Sequence, residues 1–259
     1  MHIHAASGAE PERQRALALL VEACIVAFGV TKNLGHPDLA LQAAHRAHEA
    51  AKAAADPALL AFAGQRRAQA LQRVGAFRRA GTVLEQALTN TQEFADPTAA
   101  EGVGLLHLAA AMNAARAGYA DRAHNHLAAA EELGARTGER NALGQHFGPA
   151  NLGVWRISIG VELGDGAAAY DRASGGIDPA TLASADRVAM MRADSARALA
   201  QEDGRRDEEA IRLLDSADRT APARVRQDPV MRELLSTLGN RTRRRSWELA
   251  SLRNRFGLN

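Results

Sequence analysis

The sequence lacks the features that distinguish secreted, β-rich and disordered proteins. Of its 259 residues one is Cys and only 4% are aromatic. The single Cys24 cannot form an intramolecular disulfide, which excludes a disulfide-stapled secreted domain. A β-sandwich needs many more Val, Thr, Tyr and Phe residues. A disordered chain would have fewer than 46% hydrophobic residues and a larger net charge than +2.

A long uninterrupted apolar run is also lacking. The longest apolar stretch covers residues 16–30 and is interrupted by Glu22, so it is too short to span a bilayer. The amino-terminal residues, MHIHAASGAEPERQR, contain no apolar signal core. We therefore expect a cytoplasmic protein that does not contact a membrane.

Alanine dominates what is present. It fills 58 positions, and Arg and Glu are interspersed among them. Because Ala is the strongest helix former, this composition predicts an all-α protein, and its length is sufficient for one long core. The charge is uneven: residues 219–259 carry +7 and the remainder carries −5. The sequence thus combines an acidic body with a basic carboxyl-terminal end.

Glycines expected to end helices recur at a regular interval. Spacings of 40, 43, 46 and 40 residues separate Gly35, Gly75, Gly118, Gly164 and Gly204. Each is followed five or six residues later by Ala, and in four of the five units by another Ala 12 or 13 residues later. Gly adopts positive φ after the first helix of a hairpin, and small Ala side chains let the second helix approach closely. Such repetition predicts a solenoid of helical hairpins.

Four Asp-Pro dipeptides mark helix starts in the same register, at 56–57, 96–97, 178–179 and 228–229. Asp caps orphan amides, and Pro suits the first helical position. The predicted hairpins are 12–34 with 37–54, 57–74 with 77–94, 97–117 with 120–136, 149–163 with 166–174, and 181–202 with 207–219. A closing segment follows at 229–238 and 241–255. We expect one repeat domain over 11–259, capped from about 228 to 259, after a disordered linker or cloning remnant at 1–10.

These units resemble tetratricopeptide repeats. The second unit carries that family's order of small, Gly, Ala, large and Ala residues at Gly64, Ala68, Leu71, Gly75, Ala80, Leu84 and Ala87. Its longer helices, and Ala where bulky residues usually lie, depart from the family. Residues 20–40, 147–165 and 243–257 are similar to the carboxyl-terminal sensor region of actinobacterial Xre-type helix-turn-helix transcriptional regulators. The resemblance implies a right-handed superhelix of about five repeats with a carboxyl-terminal capping helix.

The same resemblance implies partners. Such regulators place a DNA-binding helix-turn-helix ahead of the sensor, but only about ten residues precede the first predicted helix here. We therefore expect an excised sensor domain or a stand-alone relative, which contacts DNA only through a helix-turn-helix absent from this chain. A homodimer or a partner protein is expected. By similarity to Gram-positive peptide-pheromone receptors, a small molecule or short peptide would bind a concave groove lined by the first helix of each hairpin.

The groove candidates follow from this register. They are Gln65, Gln69, Arg73, His107, Met112, Asn113, Arg116, His146, Phe147, Asn151, Trp155 and Arg156. Asn and Gln each offer a donor and an acceptor to a peptide backbone, and Arg suits a carboxylate or phosphate. Two simpler interpretations remain open. The row of Gln65, Gln69, Gln72 and Arg73 is also typical of a helix face exposed to solvent. Phe147 and Trp155 could equally be structural residues that pack between helices.

Motifs for catalysis and metal binding are missing from the sequence. His45 and His48 lie three residues apart, but no Cys pairs with them and neither HExxH nor CxxC occurs, so we expect no metal and no cofactor. Cys24 lies in an apolar helix and is expected to be buried. The basic run at 241–245 could contact DNA phosphates. Because Trp247, Leu249, Leu252 and Phe256 are interleaved with Arg, an amphipathic helix is favoured. Its apolar side would pack on the repeats, and its Arg side would meet acidic residues of this chain or of a partner.

The sequence therefore predicts a non-enzymatic, ligand-sensing regulatory module. The alternative is a tetratricopeptide-type scaffold that binds a protein segment and no small ligand.

Overall fold

The fold is entirely helical in the residues that the structure describes. A computed structural model describes residues 9–89, 96–182, 184–241 and 246–258. It is 82% helical, with thirteen α-helices and no strand in these residues. The predicted all-α class is thus confirmed. Two compact units divide the chain, Met1–Pro149 and Ala150–Asn259.

The first unit consists of three consecutive helical hairpins. Its helices are α1 (Glu10–Asn33), α2 (Pro37–Ala54), α3 (Pro57–Arg73), α4 (Phe77–Thr89), α5 (Pro97–Arg116) and α6 (Ala120–Thr137). The first helix of each pair packs on the second, and α3 also packs on α1, α2 and α5. We call α1, α3 and α5 the A helices, and α2, α4 and α6 the B helices. The A helices are therefore neighbours in the order α1, α3, α5.

The second unit is built around one central helix. Its helices are α7 (Pro149–Leu163), α8 (Gly166–Ala173), α9 (Ala185–Ala200), α10 (Asp207–Thr220), α11 (Pro222–Arg226), α12 (Pro229–Arg241) and α13 (Trp247–Arg255). Two 3₁₀ turns, Ser174–Gly176 and Pro179–Leu182, lie between α8 and α9. Helix α9 packs against α8, α10, α11 and α12. The short helix α11 is not among the predicted elements.

The glycine and alanine positions behave as the sequence predicts. Gly35, Gly75, Gly118, Gly164 and Gly204 have φ values of +82°, +76°, +79°, +87° and +95°. The Ala that follows each of them, at 40, 80, 123, 169 and 210, is at most 2% exposed. A left-handed residue reverses the chain, and a methyl side chain at the contact lets two helices approach closely. The predicted left-handed glycines and buried alanines are therefore confirmed, and they are consistent with a helical repeat.

Three of the four Asp-Pro dipeptides begin long helices. Asp56 and Asp96 accept hydrogen bonds from backbone amides two or three residues ahead, at 2.9–3.1 Å, and Asp228 caps α12 in the same way at 3.0 Å. Asp178 caps only a 3₁₀ turn, through the Ala180 amide at 2.9 Å. The predicted helix 181–202 therefore starts too early. Extended backbone at Ser184, whose hydroxyl caps α9, makes the actual start Ala185.

The remaining boundaries agree with prediction within a few residues. Helix α1 begins at Glu10 rather than at residue 12, so the last residue of the predicted linker is helical. Residues 1–8 of that linker lie outside the described residues. The second helix of the second hairpin, predicted over 77–94, is described as far as Thr89, and residues 90–95 also lie outside the described part.

Helix α1 is long and apolar over much of its length. Of the described helices, it is the one whose length and composition would allow it to cross a membrane. The prediction that this stretch is too short is wrong, because the helix extends beyond residues 16–30 on both sides. Core helices and amino-terminal signal sequences meet the same criteria. One side of α1, including Val21 and Phe28, is buried in the first unit, whereas Val26 and Val30 are exposed.

The carboxyl-terminal helix α13 docks through three of its four predicted apolar residues. Leu249, Leu252 and Phe256 are buried in a cluster with Leu214 and side chains of α9 and α12. Trp247 is 67% exposed, which corrects its assignment to the docking face. Positions 249, 252 and 256 share one face of a helix, and position 247 lies about 200° away from 249. Residues 242–245 of the predicted basic run lie outside the described residues.

A buried carboxylate holds the basic end of the chain. Asp218 on α10 is fully buried, and it accepts hydrogen bonds from Arg226 Nε and Nη2 at 2.6 and 3.1 Å. Arg255 Nη1 of α13 lies 2.9 Å from the same carboxylate, and its Nη2 pairs with Asp215. Of the two alternatives left open for the Arg side of the terminal helix, the described contacts are with acidic residues of its own chain.

We expect Asp218→Asn to destabilise the protein by about 3–5 kcal/mol, because two guanidinium groups lose a buried partner. The control is Asp171→Asn, since Asp171 pairs with Arg206 at 2.7 Å but is 58% exposed, and it should cost less than about 1 kcal/mol. Urea unfolding followed by circular dichroism gives both values. Equal effects of the two substitutions would show that Asp218 does not hold the basic end in place.

Candidate functional site

The candidate residues on α3 become more exposed along the helix. Gln65 is 1% exposed, Gln69 is half-buried and Arg73 is exposed. The Gln65 Oε1 atom has no hydrogen-bond partner among the described residues. Gln69 Oε1 accepts a hydrogen bond of 2.7 Å from Arg66 Nη1. The row is therefore not a uniformly solvated face, because its inner members are buried.

Arg66 is a site residue that the sequence analysis missed. It is 5% exposed, and its guanidinium carbon lies 4.9 Å from the centre of the Phe62 ring and 5.8 Å from that of Phe28. Its Nε and Nη2 atoms have no partner within the described part of the chain. Burial lowers the pKa of Arg66 to about 9, so it stays charged at neutral pH. A cation is thus held between two aromatic rings on α1 and α3.

A helical-period argument could have found Arg66. Phe62, Arg66, Gln69 and Arg73 lie at i, i+4, i+7 and i+11, which is one stripe of a helix. Gln69 and Arg73 of this stripe, and Gln65 of its neighbour, are among the predicted site residues, whereas Arg66 is not. Gln65 and Gln72, which lie on the adjacent stripe of α3, are both buried.

On α5 the candidates join that helix to α3. Asn113 Oδ1 accepts a hydrogen bond of 3.3 Å from Gln72 Nε2, which also lies 3.3 Å from the Ala109 carbonyl. Met112 is buried beside Asn113, and Arg116 is exposed at the end of the helix. The Gln72 and Asn113 amides are therefore partners of each other in the interface between two A helices.

His107 forms a close pair with His126 of α6. Their Nδ1 atoms are 3.1 Å apart, which requires one ring to donate and the other to accept. Burial, with a smaller contribution from His126, lowers the pKa of His107 to about 4. Burial and Arg122 also lower the pKa of His126, against the opposite effect of Glu85. The pair is neutral at physiological pH and shares one hydrogen bond.

His146 and Phe147 belong to the loop after α6. The fully buried Phe147 ring packs on Gly104 so closely that a Cβ added there would lie 2.1 Å from its Cζ atom. The backbone of Phe147 pairs with Arg140 at 2.7 and 2.8 Å, and the His146 amide donates to Asn141 Oδ1 at 2.9 Å. Phe147 therefore has the geometry of a structural wedge that fixes this loop on α5.

The three remaining candidates lie in the second unit, on α7. Asn151 is buried, and its Oδ1 accepts a hydrogen bond of 2.6 Å from Arg187 Nε of α9. The Arg187 guanidinium lies 5.4 Å from the centre of the Trp155 ring, and burial lowers its pKa to about 10. Arg156 is half-buried on the same helix. Asn151 and Trp155 thus hold a guanidinium that the sequence analysis did not include.

The candidate residues mainly offer amide and guanidinium groups. No group of three or more His, Cys, Asp or Glu side chains is arranged to hold a metal ion in the ranges that the structure describes. Cys24 is buried, and burial raises the pKa of its thiol, which disfavours the nucleophilic thiolate. What the first unit does present is amide and guanidinium groups in an apolar surrounding.

We expect the stability of the protein to fall as the pH is lowered from about 6.5 to about 4. His107 has a lower pKa in the folded than in the unfolded state, so the unfolded state binds more protons over this range. The loss should be on the order of 1–3 kcal/mol. Unfolding by urea at several pH values, for wild type and His107→Gln, measures it. The variant should show a flatter dependence, whereas the exposed control His45→Gln should follow wild type; identical slopes for all three would contradict this.

Comparison with known proteins adds no assignment to this geometry. No protein-family model, no curated protein and no solved structure matches the chain. The resemblance to tetratricopeptide-type sensor regions therefore stays a prediction from the sequence, and function has to be argued from the residues themselves.

Proposed function

We propose that this chain is a non-enzymatic regulatory module that binds a small molecule or short peptide on the polar surface of its A helices. In this proposal the hairpins continue as a tetratricopeptide-like superhelix, and the module is the ligand-sensing domain of a cytoplasmic transcriptional regulator. The argument depends on where polar side chains are buried.

The observation that supports binding is an asymmetry between the two kinds of helix in the first unit. The buried polar side chains described there are Gln65, Arg66, Gln72, Glu101 and Asn113, and all lie on the A helices α3 and α5. Every buried residue described on the B helices is Ala, Leu or Gly. Close packing of the hairpins does not by itself explain why buried polar side chains lie on the A helices, so we interpret them as groups for binding.

Three of these side chains, Glu101, Gln72 and its partner Asn113, have a structural role, and two do not. Glu101 accepts the amides of Ala142 and Leu143 at 3.1 Å each, which fixes the loop after α6. Gln72 joins α3 to α5. In contrast, Gln65 and Arg66 bury polar atoms with no partner in the described residues. An unsatisfied buried polar atom costs about 1–3 kcal/mol, and proteins retain such costs mainly where function needs them.

A ligand that supplies the missing partners would stabilise the folded state by mass action. Arg66 of α3 also lies against the rings of Phe28 on α1 and Phe62 on α3, so its surroundings include two adjacent A helices. A bound ligand would therefore favour one arrangement of adjacent hairpins, which is how we propose that binding reaches a DNA-binding domain or partner protein. Asn and Gln side chains suit a peptide backbone, since each offers both a donor and an acceptor.

We expect Gln65→Met to leave the unliganded protein as stable as wild type or up to about 1–3 kcal/mol more stable, because an unsatisfied buried oxygen is removed. The matched control is Gln72→Met on the same helix, which removes two hydrogen bonds and should destabilise the protein by about 1–2 kcal/mol. Thermal unfolding of the three proteins gives the comparison. If Gln65→Met loses as much stability as Gln72→Met, Gln65 is structural and the argument for binding fails.

Ligand binding itself is tested by thermal unfolding in the presence of fractions of a bacterial extract. The dialysable fraction should raise the midpoint of wild type, and should raise that of Gln65→Met less. Stabilisation by the non-dialysable fraction alone would overturn the proposal in favour of a protein-binding scaffold. Asn151→Ala is unsuitable for this test, because it leaves the buried side of Arg187 without its amide partner.

A further inference from the structure

The unpaired atoms of Arg66 form one complete edge of its guanidinium group. The guanidinium group is planar, and Nε and Nη2 form one of its edges. Both atoms lack a partner among the described residues. Nη1, on the other side, donates to Gln69. The Nε–Nη2 edge presents two parallel N–H bonds, which is the fork that binds the two oxygens of a carboxylate.

The chain itself shows what this edge binds when a carboxylate is present. Arg226 uses Nε and Nη2 to hold the two oxygens of Asp218, at 2.6 and 3.1 Å. Arg66 has the same edge, deeper burial and no ion pair with any described carboxylate. The two arginines therefore differ in that Asp218 pairs with this edge of Arg226, whereas no described carboxylate pairs with that of Arg66.

We propose that Arg66 is the receptor for a carboxylate group of the ligand, bound side-on by Nε and Nη2 between the Phe28 and Phe62 rings. This inference rests on the proposed function and adds the chemical class of the ligand. A carboxylate is favoured over phosphate because one negative charge neutralises one buried cation, whereas a dianion brings surplus charge into an apolar surrounding.

The route to this edge follows the α3 stripe. Gln69 is half-buried one turn beyond Arg66, and Arg73 is exposed one turn further on. A carboxylate on the Nε–Nη2 edge leaves the Nη1 bond to Gln69 in place and adds a charge-assisted pair, which is about twice as strong as a neutral hydrogen bond.

The test is calorimetric titration of the full chain with benzoate, hexanoate and inorganic phosphate at constant ionic strength. Wild type should bind the two organic carboxylates saturably, and phosphate at least about tenfold more weakly. Arg66→Met should abolish carboxylate binding, and Arg66→Lys should weaken it about tenfold or more, because Lys keeps the charge but loses the fork. The control Arg226→Met changes the other arginine of this geometry and should leave carboxylate affinity unchanged.

Stability without added anion gives an independent readout. Arg66→Met should unfold at a higher temperature than wild type, since an unpaired buried charge is replaced by an apolar chain of similar length. Arg226→Met should unfold at a lower temperature, because it removes a partner of buried Asp218. Failure of wild type to bind benzoate or hexanoate, equal binding by Arg66→Met, or preferred binding of phosphate would each overturn the carboxylate assignment. Stabilisation of wild type by the dialysable extract fraction in those cases would show that the proposed function stands without it.

Discussion

The close contact of paired helices through alanine is the constraint on which the fold depends. Each hairpin turns at a left-handed glycine, and the next helix then meets its partner through a buried methyl group. Contacts of this kind leave little room for larger side chains, so bulky and polar residues are confined to particular positions. In the first unit the buried polar residues lie on α3 and α5. The regular positions of Gly and Ala therefore also limit where polar side chains that could bind a ligand are found.

Burial of polar groups on the A helices has an energetic cost that the rest of the unit has to offset. Gln72 and Asn113 reduce it by bonding to each other, and Glu101 reduces it by capping loop amides. Gln65 and Arg66 retain unpartnered atoms in the described structure. In the second unit, the buried Asp218 is fully paired with two arginines. Unpartnered buried atoms also occur elsewhere, at His48 Nδ1, Arg187 Nη2 and Asp207 Oδ1. On α3 they belong to two consecutive residues, Gln65 and Arg66, which is the reason to interpret the α3 surface as a binding site.

Features set by local sequence were predictable. Turn glycines, Asp caps and the Ala contacts each depend on residues within one helical turn or one repeat, and they lie where predicted. Asp178 failed as a helix start because Ser184 competes with it six residues later. Trp247 failed as a docking residue because a helix places it on the opposite side from Leu249. Such errors arise when two local signals compete or when a boundary shifts the helical phase.

The site was less predictable, because its meaning depends on partners far apart in the sequence. Gln65 and Gln69 were identified as polar residues, but only the structure shows that one is unpartnered and that the other accepts from Arg66. The pairing of His107 with His126, and of Asn151 with Arg187, joins residues 19 and 36 positions apart. The helical period could have suggested Arg66, whereas its two aromatic neighbours on different helices could not be inferred from spacing.

Binding of a carboxylate by the Nε–Nη2 edge of Arg66 can be observed at the arginine itself. The most direct measurement is a proton–nitrogen correlation spectrum of the arginine Nε–H groups during titration with benzoate at constant ionic strength. The account predicts a saturable shift of the Arg66 signal, assigned by its loss in Arg66→Met, while the Arg226 signal stays fixed because Asp218 already occupies that fork. An Arg66 signal that does not move, or that moves together with all other arginine signals, would contradict the account.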